Sequence, residues 1–445
     1  MRAPIRIIAR LAALLAALQL AIQPAAAQSV LRDAETEKLL QDMVDPLAEA
    51  AGLGRGAVEI VLVQDNSINA FVAGGQRIYI HSGLINAADT ANEVQGVMAH
   101  ERSSEGIQQA TNITIVSLLL GVAAIAAGAG DAGMGILAAG QQAAMGKYLA
   151  FSRVQESSAD AAGVEYLSKA GISGRGSIEF FKKLQNLEFR YGVSQKDDAT
   201  YSRSHPLTGD RISNLQRDYE RDPSWAKPND PQLEERFQRA KAKLYGYLAE
   251  PQDTLRFYPT TMTGIPARYA RAYAYHKDAQ VDKALAETKA LIEADPHDPY
   301  FLELEGQILL ESGRPREALE PLREATRLTN NTPLIATTFG HALIATEDNA
   351  NFAEAETVLK AAVTRDRYNP FAWYQLGVVY AAQGDMPRAR LASAEQQSMS
   401  GRMEEAMRSA EAAERGLPTG TPDWLRAQDI AMTAKAELER QKKRK

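Results

Sequence analysis

Val94-Gln-Gly-Val-Met-Ala-His100-Glu101-Arg-Ser-Ser104-Glu105 climbs from an apolar run into a His-Glu pair. In the pattern H-E-x-x-H, two histidines four residues apart share one helix face and bind zinc, and the glutamate between them acts on the attacking water. Here the first two members stand in place, but the position four after His100 is Ser104, which offers no imidazole. Glu105 is no substitute, because one further residue turns a side chain about 100° around the helix. The stretch predicts the first half of a metal-binding helix with one ligand missing.

Upstream, Asp33 to Gly52 is expected as an amphipathic helix with Leu39, Leu40, Met43, Val44 and Leu47 at helical spacing, interrupted by Pro46. Ala57 to Val63 has the Val/Ile content of a strand, and Ala70 to Val72 and Gln76 to Ile80 make further short strands around Gly74-Gly75. Asp89 or Thr90 is suited to cap the helix that carries His100. Downstream, residues 110–130 contain no charge; we expect 113–137 to form a helical hairpin that is either packed on the domain or in contact with a membrane surface. A second helix, Tyr148 to about Ala170, carries Arg153, Glu156 and Asp160, and a loop follows with Arg203, Ser204, His205 and Pro206.

Beyond Pro266 the sequence repeats. Ala284 and Ala318 are 34 residues apart, as are Ala355 and Ala389, and the middle interval is 37, with extra residues near Glu347 to Asn351. Trp373, Leu376-Gly377, Tyr380 and Ala389 fit the tetratricopeptide helix-pair pattern, and Leu302, Gly306 and Leu309 echo it. A weaker unit, Gly401 to Gly416, and a closing helix at Trp424 to Gln441 end the array. Such units stack into a solenoid that binds peptide or protein.

The chain has 445 residues, 45% hydrophobic and 24% charged, with net charge −6 and no basic stripe in its body, so nucleic acid is excluded as a partner. Arg2, Arg6 and Arg10 precede the apolar run Leu11 to Ile22 and the small residues Ala25-Ala26-Ala27, the organisation of an export signal over residues 1–27. There is no cysteine, which excludes disulfides and cysteine-linked lipid. The expected domains are residues 28–216, a linker region 217–265, and repeats 266–445.

Taken in order, these motifs resemble the β-barrel assembly-enhancing protease family of periplasmic zinc metallopeptidases, which join a gluzincin-type domain to tetratricopeptide repeats. The resemblance rests on Asn69-Ala-Phe71, Ile78 to Leu84, His100-Glu101, the helix Arg153-x-x-Glu156-x-x-Ala159-Asp160, and Ser204-His205-Pro206. It implies a mainly α fold: a metallopeptidase domain with a small β-sheet, followed by an all-α solenoid. It also implies Zn2+, with His100 and Glu156 as ligands and Glu101 as the general base. Asp160 would orient a ligand imidazole, His205 would stand at the metal or stabilise the transition state, and Arg203 would steer charge beside it.

Relatives show something like Arg102 to Gln109 after the zinc helix, so we expect an internal deletion of about two helical turns. His205 would then complete a two-His, one-Glu set; the domain's other histidine, His81, sits near a strand end. Two functions follow. One is an exported zinc endopeptidase of the periplasm, in quality control of outer-membrane proteins, whose repeats engage unfolded or misassembled proteins and their assembly machinery. The alternative is a catalytically inactive homologue that binds proteins as a scaffold or chaperone.

Overall fold

The computed structural model describes residues 29–74, 76–101, 156–191 and 209–444. They fall into two compact units: residues up to Leu31 with Leu40–Glu234, and Arg32–Leu39 with Glu235–Lys445. The apolar stretch 113–137, Arg153, Arg203 and His205 lie outside the described residues. Among the described residues, no helix is long and apolar enough to cross a membrane.

The chain enters through a short strand β1 (Ser29–Leu31) and helix α1 (Ala34–Ala50), which runs on through Pro46. A four-stranded sheet follows in the order β1-β2-β4-β3, with β2 (Glu59–Gln64), β3 (Ala70–Ala73) and β4 (Arg77–His81). β2 runs parallel to β4, pairing Leu62 with Ile80, and β3 closes antiparallel on β4, pairing Phe71 with Tyr79. Those two rings stack at 4.9 Å, the close cross-strand contact expected where aromatic residues face each other on one side of a sheet. α2 (Ser82–Ala87) leads to α3 (Ala91–Glu101). Thr90 caps α3 by accepting from the Glu93 N–H, and the Glu93 carboxylate reaches back to the Asp89 N–H, the reciprocal arrangement that satisfies free donors at a helix start. Residues 156–170 form α4, followed by α5 (Arg175–Tyr191) and α6 (Gly209–Glu220).

The stretch 217–265, expected as the region between domains, holds the end of α6, a 3-10 turn at Pro223–Ala226, α7 (Pro231–Leu248) and α8 (Pro251–Phe257). The second unit then continues as helix pairs: α9 (Ile265–Lys277) with α10 (Val281–Ala294), α11 (Pro299–Glu311) with α12 (Pro315–Leu328), α13 (Pro333–Ala345) with α14 (Phe352–Arg365), and α15 (Pro370–Ala382) with α16 (Met386–Met399). α17 (Met403–Glu414) and α18 (Pro422–Arg444) end it.

The repeat is visible in the backbone as well as the side chains. Proline opens α11, α13 and α15, at the one position where its missing N–H costs nothing. Asp298 and Asn369 cap α11 and α15 through their side chains. The residue that turns the chain after each first helix has positive φ: Ala279, Gly313, Glu347 and Gly384. Their spacing is 34, 34 and 37, and the longer interval is taken up by a 3-10 turn at Asn349–Asn351. The alanines that set the period, Ala284, Ala318, Ala355 and Ala389, are all buried. Gly340 lies so close to α14 that a Cβ there would stand 2.5 Å from Leu359 Cγ. Small residues at these points let helices pack at short range.

Residues 32–39 are part of this second unit. Ala34 packs with Leu302, Ala325 and Ile335. Asp33 pairs with Lys243 at 2.5 Å, and Glu35 with Arg239 at 2.5 Å and the Tyr269 hydroxyl at 2.7 Å. Burial opposes the Lys243 ammonium, but Asp33 beside it holds its pKa well above the ordinary value.

Candidate metal centre

All eleven residues of α3 are buried, polar ones included. A buried polar group must find partners inside the fold, and Asn92 and Glu93 do. Asn92 donates to the Ser173 carbonyl at 2.8 Å and accepts from the Gly176 N–H at 2.8 Å; Glu93 pairs with Lys183 at 2.7 Å. These bonds pin α3 to α5. Gly96 permits the approach, since a Cβ there would stand 2.3 Å from Ser177 Oγ.

With α3 fixed, its last turn delivers His100 and Glu101 to the acidic face of α4. His100 Nδ1 stands 3.0 Å from Asp160 Oδ1, and His100 Nε2 stands 3.4 Å from Glu156 Oε2. Both acids therefore meet the same ring on opposite nitrogens. The Phe181 ring, from α5, meets the His100 ring edge-on at 5.9 Å. Glu101 is 1% exposed.

Arg211 of α6, which sequence reading had not assigned to the site, completes the cluster. Its Nη2 lies 2.8 Å from Glu156 Oε2, and its Nε and Nη2 bridge Asp160 at 2.7 and 2.8 Å. Its guanidinium also covers the Phe181 ring at 5.6 Å. The available signal was position: Arg211 lies six residues after His205, where α6 starts. One planar cation thus anchors two buried carboxylates, the geometry in which arginine outperforms lysine.

The electrostatics follow from this crowding. Burial works against a charged His100, but the hydrogen bonds of Asp160 and Glu156 and the charge of Glu101 outweigh it, raising its pKa to about 9. Burial works against the Asp160 carboxylate too, and Arg211 and His100 pull its pKa below the usual value. Tyr219, which donates to Ser177 Oγ at 3.2 Å, is pushed up by burial.

His81 belongs to a different cluster. It is buried at the end of β4, with Nδ1 at 2.8 Å from Ser67 Oγ and 3.6 Å from Asp65 Oδ1, and burial lowers its pKa. It makes no contact with His100 or Glu156.

Two donors on one tetrahedral zinc ion, each at about 2.0–2.1 Å, stand about 3.4 Å apart. His100 Nε2 and Glu156 Oε2 have that separation, with Asp160 on the far side of the ring, where a metal-bound histidine usually finds a carboxylate. The donor chemistry fits zinc as far as it goes. Among the described residues, no group of three His, Cys, Asp or Glu side chains is arranged to hold a metal ion.

Comparison with known proteins locates both halves. Residues 34–218 match the model of peptidase family M48, and residues 269–333 and 345–401 match a tetratricopeptide repeat model. The beta-barrel assembly-enhancing protease of Yersinia pestis is 24% identical over 405 residues, spanning 86% of this chain and 80% of the relative. That of Escherichia coli (strain K12) is 24% identical over 363 residues, 78% of this chain and 72% of the relative. Among solved structures, YrrB, a TPR protein, is 21% identical with a TM-score of 0.33, covering 39% of this chain and 91% of that one. The chain joins a peptidase family M48 domain to tetratricopeptide repeats.

Proposed function

We propose that the first unit is a zinc metalloendopeptidase centre. His100 and Glu156 would hold the ion, Asp160 orients the His100 ring, and His205, six residues before Arg211 in the sequence, supplies the third protein donor or stabilises the transition state, with Arg203 beside it in the sequence. Bound zinc supplies Lewis acidity. Glu101 takes the proton of the attacking water and passes it to the leaving amine. Arg211 keeps Asp160 ionised and holds both Glu156 and Asp160 in position. The observation that carries this reading is the placement of both acids on the two nitrogens of one buried imidazole, at 3.0 and 3.4 Å.

An export signal at residues 1–27 puts the protein in the periplasm, where its repeats present unfolded outer-membrane proteins or their assembly machinery to the centre. The names of the relatives support that setting. A second reading is favoured by one observation: Ser104 stands where H-E-x-x-H has its second histidine. On that reading the repeats act as a scaffold or chaperone without turnover.

Zinc analysis of the purified protein, with cleavage of casein and an unfolded outer-membrane protein, separates the two. The peptidase reading expects one zinc per chain, and a Glu101→Gln variant slower by about 10^2–10^4-fold. Loss of the zinc in a Glu156→Gln variant would tie the ion to this site. No zinc, with equal background cleavage by wild type and Glu101→Gln, leaves the scaffold.

A further inference from the structure

The second unit contains a cavity of about 330 Å³ between α14, α16 and the start of α18, with α15 at its base. Its origin is legible in the repeat. Ala392 of α16 occupies the place that Val358 holds in α14, 34 residues earlier, and the smaller side chain leaves room. Trp373, Leu376 and Tyr380 give the cavity an apolar surface.

Four cations and two carboxylates line it, an excess of two positive charges in a chain whose net charge is −6. Two of those cations are committed. Arg426 grips Glu395, a carboxylate 1% exposed, at 2.5 and 2.7 Å, and Arg388 pairs with Asp423 at 2.9 Å. The other two are available. Among the described residues, Lys360 pairs only with Glu356, one turn before it, at 3.5 Å, and Arg367 is exposed with no carboxylate partner. Tyr368, next to Arg367 in the chain, is 78% exposed.

Lys360 stands within α14 and Arg367 lies two residues past its end, so the wall presents two separate cations rather than one. They suit two carboxylates with something apolar between them. A cavity of 330 Å³ is at the small end for ligand sites; it takes one aromatic side chain rather than the acyl chains of a lipid. We propose that this wedge binds an extended polypeptide segment in which an aromatic residue is flanked by acidic ones. The inference deepens the reading of the repeats as a polypeptide-binding module and is independent of the metal centre, since its readout is binding.

The test uses the full chain treated with chelator and a fluorescein-labelled peptide, Gly-Ser-Glu-Ala-Glu-Phe-Glu-Ala-Glu-Ser-Gly, read by fluorescence anisotropy. Replacing the phenylalanine by serine, or every glutamate by glutamine, is expected to weaken binding at least about 10-fold, as loss of charge-assisted contacts does. Lys360→Ala with Arg367→Ala is expected to weaken it equally, while Arg316→Ala, which removes an exposed cation elsewhere on the repeats, leaves it within about twofold. Undetectable binding by the wild type overturns the proposal. So does unchanged affinity in the double variant, or an equal loss in Arg316→Ala, which would mark bulk charge. Retained peptide binding with lost binding to phosphatidylglycerol vesicles would make this a lipid-headgroup site instead. Because the peptide variants need no change to the protein, a misfolded double variant does not remove the test. Failure of zinc analysis would leave this result standing.

Discussion

The two units stabilise themselves by opposite means. In the first, the decisive helix α3 is buried on every side, and polar residues on it meet specific partners from distant parts of the chain: Asn92 meets Ser173, Glu93 meets Lys183, His100 meets Asp160. In the second, the same few contacts recur from pair to pair, with alanine or glycine against leucine, as Gly340 against Leu359. A repeat spreads its stability over many similar apolar contacts between neighbours. The first unit relies on buried charges held by specific partners, where each missing partner leaves an uncompensated ion. The comparison teaches where each unit is fragile.

It breaks most visibly at Arg211. Replacing it with alanine leaves Glu156 and Asp160 buried without their cation, and should destabilise the first unit by about 3–5 kcal/mol. Thermal unfolding followed by circular dichroism should show the transition of the first unit moving while that of the repeats stays. A shift of both transitions, or of neither, would remove the contrast. In the second unit, Leu359→Ala should cost about 2–5 kcal/mol through the cavity it opens, and this time only the repeat transition should move.

Glu303 of α11 sharpens the comparison, because it is an ionisable group packed within the repeats. Its Oε2 is buried without a hydrogen-bond partner, and burial, with Asp33 and Glu35 adding to it against Lys243, raises its pKa to about 8. The folded state therefore keeps a proton that the unfolded chain releases near the ordinary carboxylate value. Stability from this group is complete at low pH and is lost as pH rises through about 8. Glu303→Gln should flatten that loss, gaining about 1–3 kcal/mol at pH 9 and little at pH 5. Denaturant titrations at both pH values check it; an equal effect at each would assign the change to packing. The smallest effect is at Ala279, whose φ of 55° places it in the left-handed region. Ala279→Gly should gain up to about 1 kcal/mol in the same titration.

Much of this was legible beforehand. The 34-residue period located the helix pairs, and the longer interval near Glu347 became a 3-10 turn, because local pattern and neighbour packing carry the same information in a repeat. Asp89 or Thr90 marked the start of α3 for the same reason, and Thr90 takes the cap: a cap is local. The His100–Glu156–Asp160 proximity came from motif resemblance, not spacing, since 56 residues separate His100 from Glu156. Arg211 was not among the site residues expected from the sequence. Its role depends on which carboxylates the fold brings within 3 Å, and no local pattern encodes that.

By itself the sequence determined that a half-complete metal motif precedes a tetratricopeptide array, because helix periodicity, caps and repeat spacing are properties of neighbouring residues. Only the tertiary structure decided that one imidazole is held between two acids, that Arg211 neutralises both, and that Lys360 and Arg367 line one cavity with Trp373. Charge pairing is settled by distance in space, and distance in space is what folding creates.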